Sequence, residues 1–201
     1  DVCRREKANA LSHPVVLDPV GAGASTLRTK TALDLLEQVH FAVIRGNISE
    51  IKTLAQGSGK TRGVDADLSD AVTEDNLEAA VAFAKEVAAR FDSVVAITGA
   101  IDLVADRERC FVIRNGRPEM GKITGTGCQL SGLTAAFVTA NPEHTLEAAA
   151  AAVVTMGLAG ELAFQRLEEG EGNSSYRNRI IDAIYHMDGK QLMEGARYEV
   201  R

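Results

Sequence analysis

The chain has 201 residues, 45% of them hydrophobic and 25% charged, with a net charge of −6. That length and balance suit one soluble globular domain with a single sizeable core; scattered Lys and Arg form no basic stripe for nucleic acid, and no unbroken apolar run approaches the roughly 18 residues of a membrane span. The three cysteines, Cys3, Cys110 and Cys128, lack the C-x-x-C spacing of a zinc or iron–sulfur site and do not read as a disulfide framework, which predicts a reducing, cytoplasmic setting.

Residues 1–11 read as the last turns of a helix leading into a first strand; no signal-peptide pattern and no initiator Met stand there, so the chain reads as part of something longer. Val15-Val16-Leu17 is a short buried strand stopped by Asp18-Pro19, and Gly21 to Ser25 is a loop. A helix follows over 26–39, with Leu33, Leu36 and Val39 on one face. Phe41-Ala42-Val43-Ile44 is a second apolar strand with Arg45-Gly46-Asn47 as its exit turn; a short helix over 48–55 is capped by Asn47. Residues 56–71, rich in Gly, Asp, Ser and Thr, predict an irregular excursion.

Thr73 caps a helix reaching about residue 90, with Glu74 and Asp75 in the first turn, where the helix dipole favours acids. Val94-Val95-Ala96-Ile97 is a third buried strand ended by Thr98-Gly99. Residues 102–105 and 110–113 are two short strands joined tightly through Arg107-Glu108, hence an antiparallel pair. A helix over 126–139 is entered through glycines, a long Ala-rich helix runs over 145–167, another over 176–187, and 198–200 is a last strand. Apolar strands alternating with helices imply an α/β fold, a mainly parallel sheet covered on both faces, with ligands at the carboxyl ends of the strands. No internal repeat or linker breaks the chain, which predicts a single domain over 1–201.

The unusual residues collect at those ends. Gly125-Thr126-Gly127-Cys128 opens a helix, so unpaired first-turn amides and the helix dipole form an anion site suited to a transferring phosphoryl group. Cys128, in the first turn, is a candidate base or nucleophile, or simply a small hydrophobe. Asp18 puts a carboxylate at a strand end, either to hold Mg²⁺ or to cap a turn. Arg45, Asn47 and Glu50 gather a guanidinium for phosphate, an amide and a second acid for the metal zone; a surface ion pair would use the same residue types. Thr98 offers a hydroxyl to a nucleotide phosphate, or merely ends its strand.

The segments VVLDPVGAGAS, AVIRGNISE, VVAITGAIDLVAD and KITGTGC, in this order, closely resemble the hydroxyethylthiazole kinase family of the ribokinase-like superfamily, from about Val15 to the C-terminus. Most relatives in the superfamily carry Asp where this chain has Cys128. The resemblance implies a ribokinase-like fold and ATP-dependent phosphorylation of 4-methyl-5-(2-hydroxyethyl)thiazole towards thiamine, with Mg²⁺ as cofactor and ATP as co-substrate. It implies ATP contacts at Arg45 and Thr98, with Asn47 beside them, metal-site acids at Asp18 and Glu50, a thiazole contact at Gly125, and Cys128 at the catalytic-base position within Gly125 to Cys128. It also implies a homotrimer with sites between subunits, and an N-terminal stretch, holding the first strands and one wall of the thiazole pocket, that this chain lacks. Three rival readings stand beside it: a kinase for another small alcohol such as hydroxymethylpyrimidine or pyridoxal, a nucleotide-dependent dehydratase on the same fold, and a non-catalytic fragment.

Overall fold

Each central strand is a run of β-branched and aliphatic residues, and the two-residue period of a strand sends alternate side chains to opposite faces of the sheet. The structure, a computed structural model, describes residues 2–57 and 71–201. In chain order it forms α1 (Val2–Ala10), β1 (Val16–Leu17), α2 (Thr26–Gln38), β2 (Val43–Asn47), α3 (Ile48–Gly57), α4 (Leu77–Phe91), β3 (Val94–Thr98), β4 (Asp102–Ala105) and β5 (Cys110–Ile113). It then forms α5 (Thr126–Ala140), α6 (Thr145–Gln165), α7 (Asn173–His186), α8 (Gly189–Gly195) and β6 (Tyr198–Val200). The six strands make one sheet in the order β1-β2-β3-β4-β5-β6.

Ile44, Val95, Ile97, Leu103 and Val112 point to one face, where α2, α3 and α4 cover them through Leu35, Ile51, Leu54 and Val87. Val43, Val94, Ala96, Val104 and Ile113 point to the other, against α5, α6 and α7. Burying each of the larger side chains contributes roughly 1.5–3 kcal/mol. The second face is built on small residues: Ala149, Ala152, Ala159 and Ala163 of α6 are all 0% exposed. The segment Pro142–Gln165 is long and apolar enough to cross a membrane, yet 78% of its most apolar window is buried inside the protein, so packing in the core accounts for its composition.

The parallel arrangement covered on both faces is found in β1, β2 and β3, and β4 to β6 extend the sheet antiparallel. The antiparallel β4–β5 pair forms at the residues expected. Arg45-Gly46-Asn47, expected as an exit turn, instead completes β2, pairing with Ala96, Ile97 and Thr98. The apolar run ends at Ile44, but the hydrogen-bonded ladder continues through polar residues. Residues 56–57 belong to α3 rather than to the expected irregular excursion, and 58–70 lie outside the described residues. The helix expected from Thr73 opens as a 3₁₀ turn, Glu74–Asn76, in which Asn76 Oδ1 accepts from the Thr73 amide at 2.8 Å. The short helix α8 and the 3₁₀ turn Pro118–Lys122 were not anticipated, having no apolar periodicity of their own.

Candidate active site

The strand period decides which polar residues meet. Val16, Val43 and Val94 all face α5 and α6, so Asp18, Arg45 and Thr98, each an even number of positions further on, rise on that same face. They meet at the carboxyl ends of three parallel strands. Arg45 Nη1 donates to Asp18 Oδ2 at 2.8 Å, and Arg45 Nη2 donates to Thr98 Oγ1 at 3.3 Å. Ser131, on α5, donates to the same Asp18 oxygen at 2.6 Å and also reaches the Gly127 carbonyl at 3.2 Å. The Arg45 and Asp18 side chains are only 12% and 17% exposed. Asp18 Oδ1 and Arg45 Nε are buried with no protein partner, which leaves one acceptor and one donor for a ligand.

The entry to α5 closes over this pair. Gly125 has φ +100°, a left-handed conformation that glycine adopts without the cost of a Cβ. The helical ladder begins with the Gln129 amide donating to the Gly125 carbonyl, so the amides of Thr126, Gly127 and Cys128 precede it. At Gly127 an added Cβ would lie 3.1 Å from Arg45 Nη2 and 3.2 Å from Nη1. Glycine there lets the guanidinium lie against the helix start, so a cation and the positive end of a helix dipole converge on one spot.

A cavity of about 500 Å³ opens beside that spot, between Arg45, Thr98 and Gly99 on one side and Asn115, Gly116 and Gly157 on the other, with Thr126 and Gly127 at its head. Gly125 and Cys128 stand outside its lining, and Cys128 is exposed. The first turn of α5 therefore presents Thr126 and Gly127 to the cavity and Cys128 elsewhere.

Asn47 caps α3 as expected, and Glu50 is its partner in that cap. Asn47 Oδ1 accepts from the Glu50 amide at 2.8 Å and Glu50 Oε2 accepts from the Asn47 amide at 2.9 Å, a reciprocal cap at the start of α3. Glu50 Oε1 accepts from the Gly21 amide at 2.9 Å and so fastens the loop that follows Asp18. The Asn47 side chain is thus spent on a helix start and is not brought to the cavity. No group of three or more His, Cys, Asp or Glu able to hold a metal occurs among the described residues.

Two polar side chains of the site escaped sequence reasoning. Asp102 lines the cavity, and its Oδ1 accepts from the Gly99 amide at 2.8 Å, tying down the turn after Thr98. Burial pushes its carboxyl up to about 7, against the opposing pull of the Gly99 hydrogen bond and of Arg45. Its place three residues after Gly99 was a usable hint, since a side chain so placed can accept from a turn amide. Ser131 stands four residues after Gly127 and hence on the same helix face. The cavity wall at Asn115, Gly116 and Met120 had no motif at all.

Comparison with known proteins gives a consistent picture. The model of the hydroxyethylthiazole kinase family matches residues 3–190. The chain is 57% identical over 192 residues to the hydroxyethylthiazole kinase of Clostridium acetobutylicum, covering 96% of this chain and 70% of that one. It is 43% identical over 202 residues to that of Desulfovibrio desulfuricans, covering 96% and 70%. The solved hydroxyethylthiazole kinase structure from Pyrococcus horikoshii superposes with a TM-score of 0.83 at 34% identity, covering all of this chain and 70% of that one. The pyridoxal kinase of Staphylococcus aureus, at 16% identity and a TM-score of 0.53, covering 100% and 67%, shares the fold alone.

Proposed function

This chain belongs to the hydroxyethylthiazole kinase family, and on that premise we propose how its residues share the work of the reaction. The reaction is the phosphorylation, by ATP, of the hydroxyl of 4-methyl-5-(2-hydroxyethyl)thiazole, a step towards thiamine. The observation that carries the assignment of roles is Arg45, held between Asp18, Thr98 and Gly127 at the mouth of the cavity.

Phosphoryl transfer asks a protein mainly for alignment and for neutralisation of charge on the moving group. In this reading ATP occupies the cavity with its γ-phosphate at Arg45 and Thr98. The free Arg45 Nε and the first-turn amides of Thr126, Gly127 and Cys128 receive the negative charge that develops. The thiazole lies beside the same helix turn, against Gly125, with its hydroxyl near Cys128 and in line with the γ-phosphate. An alcohol is far less acidic than a thiol, so its proton leaves late, and Cys128 at the base position assists rather than initiates the step. A general base contributes roughly 10²–10⁴-fold. A loss below about tenfold in Cys128→Ala would remove the base role from Cys128. Cys128→Asp is expected to keep turnover.

Mg²⁺ extends the proposal. The unpartnered Asp18 Oδ1 fits a hard cation or one of its waters, and Mg²⁺ usually takes only one or two carboxylates beside phosphate oxygens. Glu50 would serve through the lone pairs its two amide bonds leave free, while it keeps the Gly21 loop in place. When bound, the ion supplies charge neutralisation on the phosphates. A homotrimer, cytoplasmic and built around these sites, completes the reading; the exposed Val20 and Leu27, next to the Asp18 loop, suit a subunit contact there.

The test is a product assay with ATP, Mg²⁺ and a panel of alcohols. Mass analysis is expected to find the thiazole phosphate formed in preference to the phosphates of hydroxymethylpyrimidine or pyridoxal. Release of inorganic phosphate without a phosphorylated organic product would instead indicate a dehydratase.

A further inference from the structure

Residues 114–122 leave β5 and cross to α5 with only the 3₁₀ turn at Pro118–Lys122 as regular structure, yet Asn115, Gly116 and Met120 form one wall of the cavity. A loop with so many backbone polar groups holds its shape only if something outside it binds them. Here α6, the end of α8 and the residue before β6, Arg197, do so. The Gly116 amide donates to Glu161 Oε1 at 2.6 Å. Arg197 donates to both oxygens of the same carboxylate, Nη1 to Oε2 at 2.9 Å and Nη2 to Oε1 at 2.7 Å, a two-pronged pairing that fixes orientation as well as distance. Arg197 Nη2 also donates to the Arg114 carbonyl at 2.8 Å. The buried Asn115 completes the knot: its Nδ2 donates to the Gly195 carbonyl at 3.0 Å, and its Oδ1 accepts from the Arg197 amide at 2.8 Å. Gly157 makes room for this seat, because a Cβ there would stand 2.7 Å from the Asn115 carbonyl carbon.

We infer that Glu161, with Arg197, is a positioning residue for the nucleotide: it clamps the 114–122 loop to α6 and so sets one wall of the ATP cavity without touching the reacting atoms. Glu161 lies outside the cavity lining and its side chain is 14% exposed. It therefore acts through Gly116, the cavity residue whose amide it holds. The inference rests on the reading that ATP fills this cavity. It separates the chain's labour into a chemical side, at the ends of β1 to β3, and a nucleotide wall fastened by the C-terminal segment.

The experiment compares the full chain with Glu161→Ala and Arg197→Ala, measuring calorimetric affinity for a non-hydrolysable ATP analogue, KM for ATP, KM for thiazole, kcat and the melting transition. Glu161→Ala leaves the Gly116 amide unpaired and is expected to weaken nucleotide affinity and raise KM for ATP about tenfold, with KM for thiazole and kcat unchanged. Arg197→Ala, at a more exposed position, is expected to move the same two parameters in the same direction by less. Arg107→Ala removes an exposed pair with Asp92 elsewhere on the molecule and is expected to leave nucleotide affinity alone. Native-like ATP affinity in a folded Arg197→Ala or Glu161→Ala chain would overturn the clamp, as would an equal fall in every parameter that tracks the melting temperature. An unmutated chain that binds no nucleotide would overturn the ATP reading itself, a result distinct from failure of the clamp.

Discussion

The two halves of the sheet do different work by different means. In the parallel half, β1 to β3, the charged and hydroxyl side chains stand at strand ends and converge on Arg45. In the antiparallel half, β4 to β6, the loop after β5 borders the same cavity, through Asn115 and Gly116 among others, and is held from behind by Glu161 and Arg197. One half gathers charge at the mouth of the cavity. The other shapes space, and its side chains matter through the backbone they hold. A mutation in the first half should therefore damage turnover, and one in the second should damage nucleotide affinity.

The largest effect should come from Arg45→Ala. It leaves the mostly buried Asp18 carboxylate without its cation, and breaking such a pair typically costs about 3–5 kcal/mol. The lower end is expected, since Ser131 still donates to Asp18; urea unfolding reads the loss of stability, and turnover should vanish with it. Gly127→Val comes next. Its side chain would occupy the space now filled by the Arg45 guanidinium, and kcat is expected to fall about 10²–10³-fold, the scale of losing an oxyanion donor. A rise in KM for ATP with normal kcat would move Gly127 out of the chemical half.

Gly157→Ala probes the other half. The methyl would collide with the Asn115 backbone rather than with a flexible side-chain end, so the loop must shift. Overpacking of this kind costs about 1–3 kcal/mol, and steady-state kinetics should find it mainly in KM for ATP. Asp102→Asn is expected to act on the pH dependence of stability rather than on the kinetics. The Asp102 carboxyl titrates near 7 in the folded chain and near 3.9 when unfolded. Between those values the folded chain holds a proton that the unfolded chain has lost, so Asp102 makes stability decline as pH rises from about 4 to about 7, with no further change above that. Asn keeps an acceptor for the Gly99 amide and cannot ionise. The variant's melting temperature should decline less over that window, and an unchanged slope would contradict the assignment.

What the sequence disclosed follows the same division. Asp18, Arg45, Thr98 and Gly125 to Gly127 were legible because each is a polar or glycine residue placed where an apolar strand or the entry to a helix makes it conspicuous. The longer helices and the β4–β5 pair were legible from period and turn chemistry, and the short α8 was not. Asn47 was legible as a helix cap, and it is one; the Glu50 half of that cap was harder, because a carboxylate three residues on looks alike as a ligand and as a capping partner. The cavity wall at 114–122 was not legible, because its decisive contacts join residues far apart in the chain, Asn115 to Gly195 and Gly116 to Glu161, through backbone atoms that every residue shares. Asp102 was hidden for another reason: its carboxyl is defined by burial, and burial is a property of the assembled sheet.

The central claim is that an ATP cavity and an acceptor site meet at the first turn of α5, with Arg45 beside the transferring group. A crystal structure of the chain with a non-hydrolysable ATP analogue and the thiazole alcohol tests it most directly. The account predicts the γ-phosphate at Arg45 and the Gly127 amide, the base and ribose against Gly116 and Gly157, and the thiazole hydroxyl on the Cys128 side of the helix start. A nucleotide bound away from the 114–122 loop, or a thiazole hydroxyl out of line with the γ-phosphate, would contradict it.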